Sequence, residues 1–600
     1  MTAKTISRRT ALKTIGVGSL ALTTSPLAGS GHPDRSQSSS MQKPPNVILI
    51  MTDDQGYGDL SCHGNSVLKT PHLDSLHAQS VRFTDFHVDP TCSPTRASLL
   101  TGRYSSRTGV WHTIMGRSQL RADETTMADI FLKNGYRTGI FGKWHLGDNY
   151  PYRPHDRGFD ESLVIGGGAI GNAPDYWDND YFDDTYKRNG EWEKAAGYCT
   201  DVFFDEAMKF ILSSGDRPFF LYLPTNTPHW PHIVAEKYSD PYKEQVPERM
   251  ATFYGMIANI DENIGRLLRF LKDSGLEENT ILVFLTDNGT SFGLETADDG
   301  RATAGFNVGM RGTKGSIYEG GHRVPCFIRW PKGGIGGGRD ISFLSAHIDI
   351  LPTLLDLCGL KSQGGAKIDG SSLAAHMQNP DFEPLKRILF VHSQRVDFPI
   401  KWRQCAVMTD RWRLINGREL YDMKDDPGQK TDIADGHPDV VAQLRGSYEK
   451  WWENISARFD EYTDIPIGTE FENPVVLTSH DIHGQVAWDH VHVRRNTPHS
   501  GFWAVDFKRE GRYRIRVMRW PEESGIPILD TPEGATEMQA THARLKVADF
   551  DETLPIGDKD RAVEFEVTVK KGRTRLQAWL IDCRSNGRVN SAFYVYVKKI

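Results

Sequence analysis

Val47-Ile48-Leu49-Ile50-Met51-Thr52-Asp53-Asp54 is the stretch on which the architecture of this chain turns. Its first five residues are all apolar and three are β-branched, with no polar residue at alternate positions. A strand of that composition is covered on both faces, as in a parallel sheet with helices on either side. Residues 137–141, 218–223 and 280–285 have the same texture. Between them Phe253, Met256, Ile260, Ile264, Leu267 and Leu271 recur at three- and four-residue spacing, the core face of a long helix. Residues 348–357 predict a further helix with Pro352 near its start. Strand and helix patterns alternate over residues 44–385, which predicts an α/β domain with a mainly parallel sheet flanked by helices.

The ends of these strands carry the polar residues. Asp53-Asp54 follow the first run, and Asp287-Asn288 follow the run that ends at Leu285. In an open parallel sheet the C-terminal strand ends share one edge, so these residues are expected to meet there. Four oxygen donors, three of them anionic, call for a cation, and a hard divalent ion such as Ca²⁺ suits all-oxygen ligation. The alternative is a pair of ordinary strand-end turns, where Asp and Asn are common. Lys143-Trp144-His145 ends another strand, and residues two apart on extended chain share a side, so Lys143 and His145 enter together. His229 stands in the proline-stiffened loop Thr227-Pro228-His229-Trp230-Pro231-His232. Lys314 stands in Met310-Arg311-Gly312-Thr313-Lys314-Gly315, ahead of Tyr318-Glu319-Gly320-Gly321-His322-Arg323-Val324-Pro325. Each taken singly is an ordinary loop residue; their order along the chain carries the weight.

Cys92-Ser93-Pro94-Thr95-Arg96-Ala97-Ser98-Leu99-Leu100-Thr101-Gly102-Arg103 predicts a short helix. Pro94 suits a first turn, where its missing N–H would be unpaired anyway. Cys92 then lies at the helix N-terminus, which favours anions, and Arg96 projects to the same side one turn on.

The remaining composition bounds the answer. The chain has 600 residues, 38% hydrophobic and 10% aromatic, a globular composition long enough for more than one domain. A formal net charge of −7 argues against a general nucleic-acid or polyanion surface, so an acidic substrate must be held by local cations. The seven cysteines, Cys62, Cys92, Cys199, Cys326, Cys358, Cys405 and Cys583, are scattered without a C-x-x-C pair. Neither a disulfide scaffold nor a cysteine zinc site is expected. Residues 1–30, with Arg8-Arg9 ahead of a short apolar stretch, resemble a twin-arginine export signal, and residues 31–43 predict a disordered Ser-rich lead. That apolar stretch is too short for a permanent membrane span, and none is expected later.

Residues 386–465 predict a smaller α+β subdomain, with strand-like Trp412-Arg413-Leu414-Ile415 and Glu419-Leu420-Tyr421-Asp422 and a helix ending near Trp451-Trp452. Residues 470–600 change to period two: Tyr513, Ile515 and Val517, then Val563, Phe565, Val567 and Val569, then Phe593, Val595 and Val597. This predicts a β-sandwich-like extension. Trp488, Trp503 and Trp520 there are expected to pack in its core, with stacking on sugar rings the alternative. The loop Tyr176-Trp177-Asp178-Asn179-Asp180-Tyr181-Phe182-Asp183-Asp184 suits sugar subsites through Trp177 and Asp178, and equally suits an ordered surface loop.

Over residues 46–452 these motifs resemble, in order and spacing, the type I, formylglycine-dependent sulfatases of the alkaline phosphatase superfamily, in particular polysaccharide and aryl sulfatases with a C-terminal β extension. The resemblance implies an alkaline-phosphatase-like core and hydrolysis of sulfate esters on sulfated polysaccharides or oligosaccharides. It implies that a formylglycine-generating maturation enzyme oxidises Cys92 to formylglycine (3-oxoalanine). It implies one Ca²⁺ held by Asp53, Asp54, Asp287, Asn288 and the modified Cys92. By the same resemblance Arg96 and Lys143 stabilise the ionised hydroxyl of the aldehyde hydrate, and Lys314 and His229 hold sulfate oxygens. His229 would protonate the leaving alcohol, and His145 would act as the base that releases sulfate and restores the aldehyde. The twin-arginine translocase carries folded cargo, which implies oxidation in the cytoplasm followed by export to the periplasm or medium. Two other readings stand: a phosphonate monoester or phosphodiester hydrolase of the same superfamily, and a catalytically inactive carbohydrate-binding protein.

Overall fold

Asn46–Thr52 lies inside a ten-stranded sheet in the computed structural model, which describes residues 43–362, 364–581 and 589–600. Five neighbouring strands run parallel in the spatial order Thr280–Thr286, Asn46–Thr52, Phe219–Pro224, Arg137–Gly142 and Glu161–Val164. Antiparallel pairing begins beyond them on both sides: Cys326–Arg329 lies against Thr280–Thr286 and then Val81–Phe83, which Arg339–Ile341 joins in parallel at that margin, and Thr185–Arg188 with Glu191–Lys194 lies beyond Glu161–Val164. The sheet is thus mainly parallel, as the apolar runs require.

The physical reason for those runs is visible in the first strand. Val47, Leu49 and Met51 enter one core, together with Ala97, Leu99 and Leu354 from two helices. Ile48 and Ile50 enter a second core on the opposite face, with Phe203, Ile260 and Ile264. Each of these five strand residues is 0% exposed. Burial contributes about 1.5–3 kcal/mol for each side chain of that size, which leaves no alternate position free for a polar residue. The helix predicted around residues 253–271 spans Glu248–Asp273 and buries all six residues of its expected face. The segment at 348–357 forms a 3-10 turn, His347–Asp349, and then the helix Ile350–Cys358, ended by Gly359 at φ 64.

The next segment forms a four-stranded antiparallel sheet from Leu389–His392, Cys405–Met408, Trp412–Ile415 and Glu419–Asp422. The helix Pro438–Ile455 closes it by packing Leu444, Tyr448 and Trp451 against Cys405, Val407 and Leu414. Two further sheets follow, largely antiparallel, with Ile465–Ile467 running parallel to Ser500–Phe507. Their inner faces share one core that includes Trp503, Ile515, Trp520, Val567, Leu576 and Val595. Val563–Val569 alternates buried and exposed at every residue, matching its period-two sequence.

Trp503 and Trp520 are 0% exposed, as expected for core residues, and the Trp503 Nε1–H donates to the Thr478 carbonyl at 2.7 Å. Trp488 departs from that expectation and is 41% exposed. The export signal at residues 1–30, residues 31–42 of the lead, and Cys583 lie outside the described residues. The six described cysteines are free thiols. Among the described residues no helix is long and apolar enough to cross a membrane.

Candidate active site

The parallel register brings four strand ends to one edge. Thr52 pairs with Thr286 and Met51 with Pro224, so the segments that follow leave the sheet side by side. Backbone bonds then tie them together. Asp287 N–H donates to Thr52 O at 3.0 Å, Asp53 N–H to Thr227 O at 3.1 Å, and Lys143 N–H to Pro224 O at 2.7 Å. Gly142, at φ 131, permits this last approach, because a Cβ there would lie 1.9 Å from Pro224 O.

This edge concentrates buried charge. Asp53, Arg96, Lys143, Asp287 and Asn288 are each 0% exposed. Lys143 Nζ lies 2.7 Å from Asp53 Oδ2. Arg96 donates through Nη2 and Nε to Asp287 Oδ2 at 2.8 and 3.2 Å, and through Nη1 to the Lys143 carbonyl at 3.0 Å. Lys314 Nζ lies 2.6 Å from Asp54 Oδ1 and 2.8 Å from Oδ2, and His229 Nε2 lies 3.8 Å from Asp54 Oδ2. Burial, and then Asp287, push the Asp53 carboxyl well above its ordinary range. Burial acts the same way on Asp54, but Lys314 and His229 outweigh it and hold that carboxyl low.

Among the described residues, several oxygens at this edge lack hydrogen-bond partners. Asp53 Oδ1 and Asn288 Oδ1 are buried and accept no hydrogen bond, while Asn288 Nδ2 donates to Asp54 Oδ1 at 2.9 Å. Buried acceptors without partners are rare and costly, and oxygens left open beside three carboxylates are what a cation site requires. Asp53, Cys92 and Asp287 offer ligand atoms within 4.8 Å of one another. The oxygen donors fit a hard divalent ion such as Ca²⁺; the Cys92 sulfur is the one soft donor among them.

Cys92 opens the helix Cys92–Thr101, as predicted, and all ten of its residues are buried. Thr91 precedes it without a side-chain capping bond. Ser98 Oγ and Thr95 Oγ1 donate to Asp89 at 3.0 and 2.8 Å, which holds the helix in place. His145 Nε2–H donates to Thr113 O at 2.8 Å, so Nδ1 carries the lone pair, buried and without a partner. Its ring packs on Gly168, where a Cβ would fall 2.2 Å from Cε1. Burial, and then Lys143, keep His145 neutral. His229 Nδ1–H donates to Trp230 O at 2.6 Å, which turns Nε2 toward Asp54; burial, and then Lys314, lower its pKa to about 3.

Behind Lys314, the Tyr318–Pro325 motif has a supporting task. Glu319 accepts from Arg413 Nε at 2.7 Å, Arg413 Nη2 reaches Asp85 at 3.0 Å, and His87 bridges Asp85 and His322 at 2.8 and 2.9 Å. This buried network joins the Lys314 loop to the small antiparallel sheet.

Cys92, His145, His229 and Lys314 line a cleft of about 190 Å³. All ten residues assigned from the strand-end and helix motifs therefore meet at one edge. Trp177 and Asp178 do not join them. Trp177 is 7% exposed, 5.3 Å from Trp520 and 4.6 Å from His490 between ring centres, and Asp178 pairs with Arg494. They fasten their loop to the C-terminal region and lie outside the cleft that Cys92 lines. Arg395 and Asn172 line the cleft without having been foreseen, and Trp488 lines it where packing was expected.

Comparison with known proteins gives the family. The sulfatase family model matches residues 45–360, and the N-sulphoglucosamine sulphohydrolase C-terminal model matches residues 313–452. N-acetylgalactosamine-6-sulfatase of Rattus norvegicus is 31% identical over 365 residues, 56% of this chain and 66% of that protein, so the chain spans just under two thirds of that relative's length. Arylsulfatase A of Homo sapiens is 31% identical over 471 residues, 68% of this chain and 87% of the relative. The crystal structure of Ps i-CgsB in complex with k-i-k-neocarrahexaose superposes with a TM-score of 0.62 at 26% identity, covering 70% of this chain and 95% of that one. Fold, strand-end chemistry and both matched segments agree that this chain belongs to the sulfatase family of sulfuric ester hydrolases, on an alkaline-phosphatase-like scaffold.

Proposed function

We propose that this chain hydrolyses sulfate esters on polysaccharides or oligosaccharides, with a formylglycine made from Cys92 by a maturation enzyme and one bound Ca²⁺. The observation that carries the reading is the meeting of Cys92 with Asp53 and Asp287 beside two unpartnered buried oxygens. A sulfur among hard oxygen donors is mismatched to Ca²⁺; oxidation of Cys92 to a hydrated aldehyde replaces it with oxygen and makes the donor set uniform. Relatives named for sugar sulfates, and a structural neighbour holding an oligosaccharide, support the glycan assignment.

Asp53, Asp54, Asp287 and Asn288 would hold the ion. Bound there, it would polarise a sulfate oxygen and stabilise charge that grows during transfer. The aldehyde hydrate would supply one hydroxyl to attack sulfur and a second whose deprotonation expels sulfate. Arg96 and Lys143, fixed by Asp287 and Asp53, hold positive charge beside residue 92 and favour its ionised form. Lys314 faces the cleft and pairs with a sulfate oxygen. His145 Nδ1, with its lone pair free, takes the proton that frees sulfate. His229 Nε2 donates to the leaving alcohol. Burial and Lys314 hold its pKa down, and a sulfate anion beside it would supply a countercharge that raises it.

Leaving-group chemistry tests the His229 role. His229→Ala is expected to slow alkyl or sugar sulfates by about 10²–10⁴-fold, and 4-nitrophenyl sulfate, whose leaving group needs no proton, by a much smaller factor. Equal losses on both would remove His229 from that role. For the activity itself, sulfate release from a panel of defined sulfated oligosaccharides is the measurement, and a preference for aryl phosphonates or phosphates would overturn the sulfatase reading. Export through the twin-arginine translocase to the periplasm or medium belongs to the same proposal and is supported by Arg8-Arg9. Replacing both arginines with lysine is expected to retain the protein in the cytoplasm on fractionation, and unchanged export would refute it.

A further inference from the structure

The C-terminal sheets reach back into the cleft. Trp488 lies beyond both segments matched by family models, the second of which ends at residue 452. Its carbonyl accepts from Ala173 N–H at 2.9 Å, the next residue, Asp489, bridges Asn172, and His490 N–H donates to Gly171 O at 2.8 Å. The glycine turn so gripped is the one whose Gly168 supports the His145 ring. On one side of the Trp488 indole His492 packs edge-on, 4.1 Å between ring centres, and the His492 backbone N–H donates to Asp489 Oδ1 at 2.7 Å. The indole is therefore fixed in position, yet 41% of the residue is open, while Trp503 and Trp520 of the same sheets are fully covered. It lines the same cleft as Cys92, His229 and Lys314.

Arg395 lies at that cleft too, on the loop after Leu389–His392. It is exposed and held at φ 42, a left-handed conformation unusual for arginine. Its N–H bonds to Trp111 O at 3.3 Å, and its guanidinium makes no hydrogen bond or ion pair to the described residues. Most arginines around it are paired; this one is left open to the cleft.

We propose that Trp488 and Arg395 form a saccharide subsite at the mouth of the cleft, in which a pyranose ring stacks on Trp488 while Arg395 pairs with an anionic substituent other than the sulfate being removed. The inference rests on the sulfatase reading above and narrows its substrates to saccharides that carry at least two anionic groups. The indole face is electron-rich and suits the C–H face of a sugar ring. The guanidinium fork suits a sulfate or a carboxylate equally. On a chain of net charge −7, recognition of a polyanion depends on such local cations.

The test compares full-length, matured wild type with Trp488→Ala, Trp488→Phe, Arg395→Ala and Arg395→Lys. The substrates are 4-nitrophenyl sulfate and size-defined oligosaccharides bearing one or two sulfates, with and without a uronate. Trp488→Ala is expected to lower the ratio of oligosaccharide to 4-nitrophenyl sulfate kcat/KM by about tenfold, through KM and not kcat, with Trp488→Phe recovering most of it. Arg395→Ala is expected to erase the preference for a second anion. Loss of the disulfate preference identifies that anion as sulfate, and loss of the uronate preference identifies it as carboxylate. Ratios and preferences unchanged in both alanine variants would overturn the subsite and leave the sulfatase reading intact. A wild type inactive on every substrate would instead overturn the sulfatase reading. Thermal melts accompany each variant; if Trp488→Ala fails to fold, Trp488→Phe and the Arg395 pair decide the question.

Discussion

Cys92→Ala is expected to lower sulfate ester hydrolysis by at least about 10³-fold while the protein remains folded. Alanine favours helix at the position Cys92 occupies, and loss of one sulfur from a packed site costs about 1 kcal/mol, well within the stability of a large chain. The lost activity is therefore chemical. Cys92→Ser gives a sharper outcome. A serine hydroxyl can attack but has no second hydroxyl through which to expel sulfate, so the variant is expected to release at most one equivalent of alcohol and retain the sulfate. Intact-peptide mass spectrometry supplies the control: an unmodified Cys92 thiol in fully active enzyme would overturn the mechanism.

The second large effect concerns the cation. Ca²⁺ at about 100 times its dissociation constant is expected to stabilise the wild type by about 2.7 kcal/mol, read as a rise in the unfolding midpoint. Asp53→Asn is expected to abolish that rise. The substitution keeps an acceptor for Lys143 but removes a carboxylate from the donor set, and the Ca²⁺-dependent rise is read in each protein against its own metal-free midpoint. An equal Ca²⁺-dependent rise in the variant would show that Asp53 is not a ligand. The measurement does not depend on turnover, so it tests ion binding apart from catalysis.

Much of the fold is legible in the sequence because its constraints are local. A strand covered on both faces must be apolar throughout, which is why residues 47–51 and 281–285 stand out. A sheet with one covered face must alternate, as Val563–Val569 does. The polar edge of the candidate site is legible for a topological reason: polar pairs that follow parallel strands must meet, whatever the loops do. The cleft's outer wall is different. Trp177 and Asp178 have the composition of a sugar-binding loop, and only their contacts with Trp520 and Arg494 show what they do. Trp488 has two neighbouring tryptophans that are core residues, and nothing local separates it from them. Its position depends on backbone bonds to Gly171 and Ala173, far away in the chain. Arg395 is one arginine among many until the packing shows that it faces the cleft, unpaired among the described residues.

On the maturation proposed for Cys92, the complete burial of Cys92–Thr101 would make this protein's activity a record of its own synthesis. On the proposed maturation, an enzyme that oxidises Cys92 must grip the helix segment while it is still extended, because once the sheet closes over it nothing of that size can enter. Folding and oxidation are then competing first-order exits from the same nascent state. A chain that folds first is trapped as a thiol, structurally sound and permanently silent. On that reading the specific activity of a preparation would report a ratio of two rates, and slowing folding, by lower temperature or a chaperone, would raise it without changing a single residue.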